Sequence, residues 1–291
     1  MSKKFEINDE DKKCAPSKKY EDNSCLTLDN LINIAISYNL LVANKNNKEP
    51  IQIYHDKKYL VKEVGKRLKG ICKDQICWLK QDFVKALKSD DIEKNTFLPK
   101  ISQGKFDWLS TTNINEVMEQ REHIKPEFKF FGAVPLDFDN PRLRTIYNIP
   151  KDIEEIDYWF KKGKYKFGFI FNHDKSYQSG SHWVALFVNL RKNHVYYFDS
   201  FGDKPKKEVV ALIKRLALWC YLRNNASNNS EIFDTMTYNK IRHQYKNSEC
   251  GVYSINFILR MVNEESFENI TENITTDDEI NECRKIYFRF L

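Results

Sequence analysis

The chain has 291 residues, of which 41% are hydrophobic and 30% are charged, and it contains only 9 glycines and 8 prolines. This composition excludes collagen-like, linker-like and wholly disordered chains. The 47 Lys and Arg residues outnumber the 41 Asp and Glu residues, and the net charge of +6 permits an anionic partner without requiring one. The longest apolar runs, residues 183–188 and 255–259, are far shorter than the roughly 18 residues needed to cross a bilayer, so we predict no membrane span.

The first third of the chain is predicted to hold a small helical unit. Residues 1–24 are rich in charged and polar side chains, which leaves too little apolar surface to offset the entropy of ordering, so we expect a flexible tail. Apolar residues recur at helical spacing over residues 28–38, 59–68 and 78–87. These patterns predict a helical arm domain over residues 25–100.

The composition changes near residue 100 towards aromatic and β-branched side chains, which are typical of strands. Short apolar runs predict buried strands over residues 167–171, 183–190 and 195–199. Amphipathic spacing predicts helices over residues 206–222 and 250–262. We therefore expect an α+β domain over residues 101–291.

The seven cysteines are odd in number and irregular in spacing, which is unlike a disulfide framework. A chain of this size does not need disulfides for stability, and its first residues contain no apolar segment of the kind found in secretory signals. We therefore expect a reducing compartment. Cys72 and Cys77 lack the spacing and the second ligand pair of a zinc site, so we interpret them as core cysteines and expect no metal.

Three residues of the α+β domain, His182, Asp199 and Cys250, can supply the groups of a cysteine protease. Such an enzyme needs a thiolate nucleophile, an imidazole that accepts and returns its proton, and a third polar group that orients the imidazole. Cys250 falls at the predicted start of a helix, where free N–H groups and the positive end of the helix dipole favour a thiolate. We predict that these residues form a catalytic triad.

Gln244 lies six positions before Cys250 and can aim its side-chain amide at an oxyanion beside the Cys250 backbone N–H. We predict that these two donors form an oxyanion hole. The residues alone leave alternatives open for the other roles. His243 could act as the base, and Asp203 or Glu249 could be the acidic member.

In the order and spacing of these motifs the chain resembles the SUMO-processing proteases and the adenovirus protease, adenain. The shared signature consists, in chain order, of His182-Trp183, Asp199, Gln244 and Cys250-Gly251. The resemblance selects Asp199 as the acidic member. It implies a papain-like, adenain-type α+β core with a central mixed sheet flanked by helices. It also implies a cysteine endopeptidase, a hydrolase that needs no metal or organic cofactor.

The resemblance further implies a substrate site. Trp183 and Trp108 correspond to two aromatic walls that enclose a di-glycine main chain in the SUMO proteases. Residues 108–114 resemble the opening motif of that core, although Thr111 stands where those enzymes have Asp. A slot this narrow admits glycine and rejects any side chain, which implies cleavage after Gly-Gly. Trp108 has an alternative interpretation as an ordinary core residue.

The helical arm ahead of the core is most similar to the polyprotein-processing proteases of large cytoplasmic DNA viruses, typified by the African swine fever virus enzyme. This resemblance implies cleavage of structural polyproteins at Gly-Gly-X sites during virion maturation. It places the protease in the virion and in the viral factory of the host cytoplasm, and it leaves the oligomeric state open. The alternatives on the same core are a protease that removes SUMO or ubiquitin, an acetyltransferase and a non-catalytic scaffold.

Two basic runs remain outside this account. They consist of Lys161, Lys162, Lys164 and Lys166, and of Lys204, Lys206 and Lys207. Such runs are usually solvated faces of a protein. Because adenain uses DNA as a cofactor, the resemblance makes weak binding of DNA or another polyanion a candidate role for them.

Overall fold

The computed structural model describes residues 9–43, 49–101, 107–144, 146–226 and 237–290. The chain divides into two compact units. One comprises Met1–Ile101 with Phe288–Leu291, and the other comprises Ser102–Tyr287. Within the described ranges, no helix has both the length and the apolar character needed to span a membrane.

The first unit is mainly helical. Its helices are the 3₁₀-helices Asp9–Lys12 and Asp82–Leu87 and the α-helices α1 (Leu28–Val42), α2 (Lys57–Leu68), α3 (Gln75–Leu79) and α4 (Ser89–Thr96). The pattern over residues 78–87 predicted one helix, but the chain turns between α3 and the second 3₁₀-helix. The helix ends before Gln81, whose backbone is extended and whose Nε2 donates to the Cys77 carbonyl at 3.0 Å, the oxygen that a continuing helix would use.

Residues 9–24 are folded, in contrast to the predicted flexible tail over residues 1–24. Ser24 is buried and its Oγ donates to Gln75 Oε1 at 2.5 Å, while Ala15 N donates to the Thr96 carbonyl at 2.8 Å. The composition of the segment gave no sign of this, because polar contacts and a disulfide order it more than apolar burial does. Residues 1–8 lie outside the described residues.

Two disulfides, Cys14–Cys25 and Cys72–Cys77, correct the expectation of reduced cysteines. The Cα atoms lie 5.3 Å apart in the first pair and 5.4 Å in the second, within the range that a disulfide bridges. The odd number of cysteines arises because three of them, Cys220, Cys250 and Cys283, are free while the other four are paired. The expectation of a reducing compartment therefore loses its basis.

The second unit combines helices with a five-stranded sheet. Its helices are α5 (Thr111–His123), α6 (Ile153–Lys161), α7 (Lys207–Ala226), α8 (Cys250–Val262), α9 (Phe267–Glu272), α10 (Asp277–Glu282) and α11 (Arg284–Tyr287). Strand β1 (Lys100–Ile101) belongs to the first unit, and the sheet order is β2 (Phe128–Val134), β3 (Lys166–Asn172), β4 (Trp183–Asn189), β5 (His194–Phe198) and β6 (Thr237–Tyr238). The central strands β3, β4 and β5 are antiparallel, whereas β2 and β6 run parallel to their neighbours. The predicted α+β core with a mixed sheet flanked by helices is thus confirmed.

The last residues of the chain belong to the first unit, which differs from the predicted division into residues 25–100 and 101–291. Strand β7 (Arg289–Phe290) pairs in parallel with β1. Arg289 explains this placement, because its Nε donates to the Leu98 carbonyl at 2.9 Å and its guanidinium forms an ion pair with Glu93.

Helices cover both faces of the central sheet. On one face, Phe169 and Leu186 share a buried cluster with Leu212 of α7. On the other face, Phe198 stacks on Phe257 of α8 with ring centroids 5.0 Å apart. Burial of each apolar side chain of this size stabilises the folded protein by roughly 1.5–3 kcal/mol. This packing fixes α8, and with it Cys250 at its first position, against the strands that carry the other candidate residues.

Candidate active site

A hairpin formed by β4 and β5 brings His182 and Asp199 together. Ala185 pairs with Phe198 in this hairpin, so the residues just before β4 lie beside those just after β5. His182 Nε2 is 2.6 Å from Asp199 Oδ1, and both residues are buried. Because an ionised carboxylate can only accept, Nε2–H donates to Asp199 and Nδ1 is left for another partner.

Cys250 lies beside the same imidazole. Its side chain acts on the pKa of His182 through hydrogen bonding and through its charge, and Cys250 is the first residue of α8. The backbone N–H groups of a first helical turn have no partner within the helix, so the Cys250 N–H is available to an incoming group. The structure therefore brings the three predicted triad residues to one place.

The charge state of His182 follows from these contacts. Burial opposes its protonation, but the hydrogen bonds to Asp199 and Cys250, together with their negative charges, raise the pKa of His182 from 6.5 to about 9. The pKa of the neighbouring His173, whose ring centroid is 5.1 Å from that of His182, shifts in the opposite direction. Burial and the positive charge of His182 lower the pKa of His173 to about 4. At neutral pH the imidazole of His182 is charged and that of His173 is neutral.

Gln244 is held at both ends of its side-chain amide. Ser200 Oγ donates to Gln244 Oε1 at 2.7 Å, and Gln244 Nε2 donates to the Lys246 carbonyl at 2.9 Å. The backbone N–H of Gln244 also donates to the Ser200 carbonyl at 2.9 Å. Gln244 is thereby attached to the residue that follows Asp199. A primary amide has two N–H donors, so the Lys246 bond uses only one of them.

The three alternative site residues are placed elsewhere. His243 contacts the Thr271 carbonyl through Nε2 at 3.2 Å, and burial lowers its pKa. Glu249 accepts from the Ser248 backbone N–H at 2.8 Å, and Asp203 is exposed. Of the three carboxylates that the sequence offered as the acidic member of the triad, Asp199 is the one hydrogen-bonded to the His182 imidazole.

The two candidate substrate-binding tryptophans line one cavity of about 380 Å³. Trp183 is 6% exposed and its Nε1 donates to the Leu109 carbonyl at 2.9 Å, whereas Trp108 is 38% exposed and is not an ordinary core residue. Gly251 follows the nucleophile, and a Cβ there would lie 3.0 Å from the Leu109 Cβ and 3.3 Å from Trp183 Cδ1. The glycine therefore lets the tryptophan wall approach the first turn of α8.

Two residues that the sequence analysis did not single out hold Asp199. Asn239 accepts from the Asp199 backbone N–H at 2.9 Å and donates to its carbonyl at 2.6 Å. Phe201 donates its backbone N–H to Asp199 Oδ1 at 2.8 Å, and its ring stacks on His182 with centroids 4.3 Å apart. Phe201 lies two residues after Asp199, so proximity in sequence could have indicated it. Asn239 carries no such local signal.

A buried network holds the residues that lead into Cys250. Arg284 is fully buried, and it donates to the Ser248 carbonyl and to Asn281 Oδ1, both at 2.9 Å. Asn281 in turn donates to Glu249 Oε1 at 2.9 Å. Burial lowers the pKa of Arg284, while the negative charges of Glu249 and Cys250 raise it. This network fixes the backbone immediately before the nucleophile and places a cation near it.

The first basic run is largely engaged within the protein. Lys166 is 3% exposed and forms an ion pair with Glu264, and Lys164 Nζ donates to a main-chain carbonyl at 2.9 Å. The lysines of the second run, residues 204–207, lie on the surface. In the part of the chain that the structure describes, no three His, Cys, Asp or Glu side chains are grouped as a metal site.

Comparison with known proteins agrees with this geometry. The family model described as "Ulp1 protease family, C-terminal catalytic domain" matches residues 137–289. A protein of Acanthamoeba polyphaga mimivirus that carries the name thiol protease is 39% identical over 292 residues, which cover 95% of this chain and 93% of the relative. An African swine fever virus protein named SUMO-1 cysteine protease is 29% identical over 192 residues, 62% of this chain and 67% of the relative. A crystal structure of an African swine fever virus protease matches with a TM-score of 0.62 at 20% identity, over 98% of both chains, and this likeness shows a shared fold.

Proposed function

Because the chain belongs to the Ulp1 family of cysteine proteases, we propose that it is an endopeptidase that cleaves polypeptides after Gly-Gly pairs. In this proposal Cys250 is the nucleophile, His182 is the base and acid, and Asp199 orients His182. The observation that carries it is the buried His182 imidazole, which is 2.6 Å from Asp199 and whose pKa is raised by both Asp199 and the Cys250 side chain. A pKa of about 9 for His182 favours the imidazolium form, which stabilises a thiolate beside it.

The proposed reaction begins from the pair of Cys250 thiolate and protonated His182, and the thiolate attacks the carbonyl carbon of the second glycine. The tetrahedral intermediate collapses as the imidazolium protonates the leaving amine, which leaves a thioester on Cys250. His182 then takes a proton from water, the hydroxide adds to the thioester, and the thiolate is released. Asp199 holds Nδ1 towards these groups through its 2.6 Å hydrogen bond to Nε2.

The oxyanion of each tetrahedral intermediate is assigned to the Cys250 backbone N–H and the Gln244 amide. Support comes from the fixed position of Gln244, whose Oε1 accepts from Ser200 and whose Nε2 retains one N–H beyond its bond to Lys246. Donors that are fixed before the reaction stabilise the developing charge without reorganising. Ser200 is therefore proposed as the residue that orients Gln244.

The Gly-Gly specificity rests on the cavity shared by Trp108 and Trp183. Trp183 is fixed by its bond to the Leu109 carbonyl, and it lies against Gly251 beside the nucleophile. In the SUMO proteases that the chain resembles, two aromatic walls at this position enclose a glycine main chain and exclude a side chain. The matching pair of tryptophans here favours glycine at the positions before the scissile bond.

We extend the proposal to the processing of viral structural polyproteins during virion maturation, in the virion and in the viral factory of the host cytoplasm. Support comes from the two relatives, which are both viral proteins. The name of the African swine fever virus relative, SUMO-1 cysteine protease, favours a second candidate function, the removal of SUMO-like modifiers from proteins.

A panel of peptides with Gly-Gly, Gly-Ala and Ala-Gly before the scissile bond, assayed beside SUMO and ubiquitin fusion proteins, tests both candidates. We expect cleavage of the Gly-Gly peptides and none of the substituted ones. Cys250→Ala and His182→Ala should abolish turnover, whereas Cys283→Ala, which removes another free cysteine, should not. Cleavage of the fusions with inert peptides would favour the second candidate, and equal cleavage of Gly-Gly and Ala-Gly peptides would refute the specificity.

A further inference from the structure

A ladder of stacked side chains runs from the catalytic imidazole to the protein surface. The Phe201 ring lies parallel to that of His182, with an interplanar angle of 1° and a centroid distance of 4.3 Å. The guanidinium carbon of Arg242 is 4.9 Å from the centroid of Phe201 and 5.1 Å from that of Tyr245. Phe201 is 36% exposed and Tyr245 is 72% exposed. We call Phe201, Arg242 and Tyr245 the aromatic–arginine ladder.

The guanidinium of Arg242 is available to a ligand. Its Nε donates to the Gln244 carbonyl at 2.6 Å, which leaves the Nη1 and Nη2 groups for other acceptors. Among the described residues, no carboxylate forms an ion pair with Arg242. Two aromatic faces hold the guanidinium, so less conformational entropy is lost when it binds a carboxylate through both nitrogens.

The surrounding charges also favour an anion. The neighbouring Lys240 is exposed and carries a positive charge. The loop of Lys240 packs closely on Gly202, where a Cβ would lie 3.1 Å from the backbone of Ile241. Lys246 is already paired with Asp278, and Asp203 is the acidic side chain on the adjoining loop. Lys240 and Arg242 are therefore the cations of this loop that pair with no described carboxylate.

The place of the ladder beside His182 favours the leaving-group side of the scissile bond. A general acid must stand beside the amine that it protonates, so His182 faces the first residue after the cleaved bond. Phe201 covers one face of His182, and Arg242 and Tyr245 extend from Phe201. None of these three residues lines the Trp108–Trp183 cavity, which is assigned to the residues before the bond.

We propose that the aromatic–arginine ladder is the subsite for the substrate residues that follow the scissile bond, and that it selects an acidic side chain there. The carboxylate pairs with Arg242, and the rings of Phe201 and Tyr245 contact the apolar part of the same segment. This inference rests on the proposed endopeptidase function, and it adds a preference that Gly-Gly recognition does not supply.

The test compares peptides that share Gly-Gly and differ only in Glu, Gln or Lys at the second position after the bond. For the wild-type protein we expect kcat/KM for the Glu peptide to exceed that for the Lys peptide by about fivefold, the scale of a well-oriented surface ion pair. Arg242→Gln should bring the ratio to about one, and Arg242→Glu should invert it, since repulsion replaces attraction. The ratio is the readout, because Arg242 also contacts the Gln244 carbonyl and absolute rates will fall.

Lys204→Gln is the matched control, because it removes one exposed positive charge from the adjoining loop without touching the ladder, and it should leave the ratio unchanged. An equal Glu-to-Lys ratio in wild-type and Arg242→Glu proteins would overturn the subsite. A Gly-Gly aminocoumarin amide, which has no residue after the bond, tests the endopeptidase function separately. If this amide is not cleaved, the subsite can still be tested by binding. Fluorescence anisotropy then measures the affinity of the Cys250→Ala protein for labelled Glu and Lys peptides, and equal affinity for the two overturns the proposal.

Discussion

The hydrogen bond between His182 and Asp199 predicts a pH dependence of stability that one carboxylate controls. Folding raises the pKa of His182 from 6.5 to about 9, against the opposing effect of burial. A group whose pKa rises on folding stabilises the protein while it is protonated. Its contribution is therefore fully present below about pH 6.5 and is lost as the pH rises through about 9. Since each pKa unit corresponds to about 1.4 kcal/mol, the contribution is roughly 3 kcal/mol.

The Asp199→Asn variant isolates this effect, because it preserves the size of the side chain and removes its charge. His182 then keeps its burial, which lowers its pKa, and retains only Cys250 as a partner that raises it. Urea unfolding at several pH values between 6 and 10 gives the free energy of unfolding of each protein. We expect the His182 part of the loss to be about 3 kcal/mol in the wild-type protein and clearly less in the variant, since buried groups with raised pKa values, such as the Cys220 thiol, add the same loss to both proteins.

Cys250→Ser is the matched control, since a serine hydroxyl preserves the hydrogen bond to His182 without a thiolate charge. It should retain the part of the pH dependence that Asp199 supplies. Parallel stability curves for wild-type and Asp199→Asn proteins would refute the reasoning, because they would show that the carboxylate does not raise the pKa of His182.

Other side chains of the site lead to further predictions. Gln244→Ala should lower kcat by about 10²–10³-fold with little change in KM, because an oxyanion donor acts only as the charge develops. Ser200→Ala should lower kcat by up to about tenfold, since Gln244 loses the 2.7 Å bond that orients it. The melting temperature of each variant shows whether the protein is still folded. A loss of rate that is matched by a loss of folded protein would contradict both predictions. Arg284→Met leaves the Ser248 carbonyl and Asn281 Oδ1 without their donor and removes the positive charge near Glu249, so it should lower the free energy of unfolding by about 1–3 kcal/mol in urea titrations, with partial recovery in the Arg284→Met/Glu249→Gln double variant. Gly251→Ala places a Cβ 3.0 Å from Leu109 and 3.3 Å from Trp183, so it should raise KM for Gly-Gly substrates more than it lowers kcat.

The residues proposed to make and break bonds could be singled out from the sequence because their types are few and their order is distinctive. His182, Asp199 and Cys250 each stand beside a strong local pattern, an apolar strand or an amphipathic helix. The antiparallel pairing of β4 and β5 then follows from the short turn between them. The mixed character of the sheet was expected from the family resemblance alone, because the parallel pairs β2–β3 and β5–β6 are not joined by a short turn.

The supporting residues could not be predicted, because their partners are distant in sequence. Asn239 binds the backbone of Asp199 forty residues away, and Arg284 reaches the Ser248 carbonyl across thirty-six residues. A buried arginine and a buried asparagine leave no periodic signal. Residues 9–24 were misjudged for a related reason, since the pairing of Cys14 with Cys25 is a tertiary contact that composition does not record.

The central claim, that Cys250 is the nucleophile of a Gly-Gly-specific protease, is tested most directly by a Gly-Gly peptide bearing a vinyl sulfone at its C-terminus. The protein has two other free cysteines, Cys220 and Cys283, and burial raises the pKa of both thiols. Intact-mass spectrometry and peptide mapping should show one adduct, on Cys250, that forms far more slowly in His182→Ala and with an Ala-Ala probe. An adduct on Cys283, or equal labelling by the Gly-Gly and Ala-Ala probes, would contradict the account.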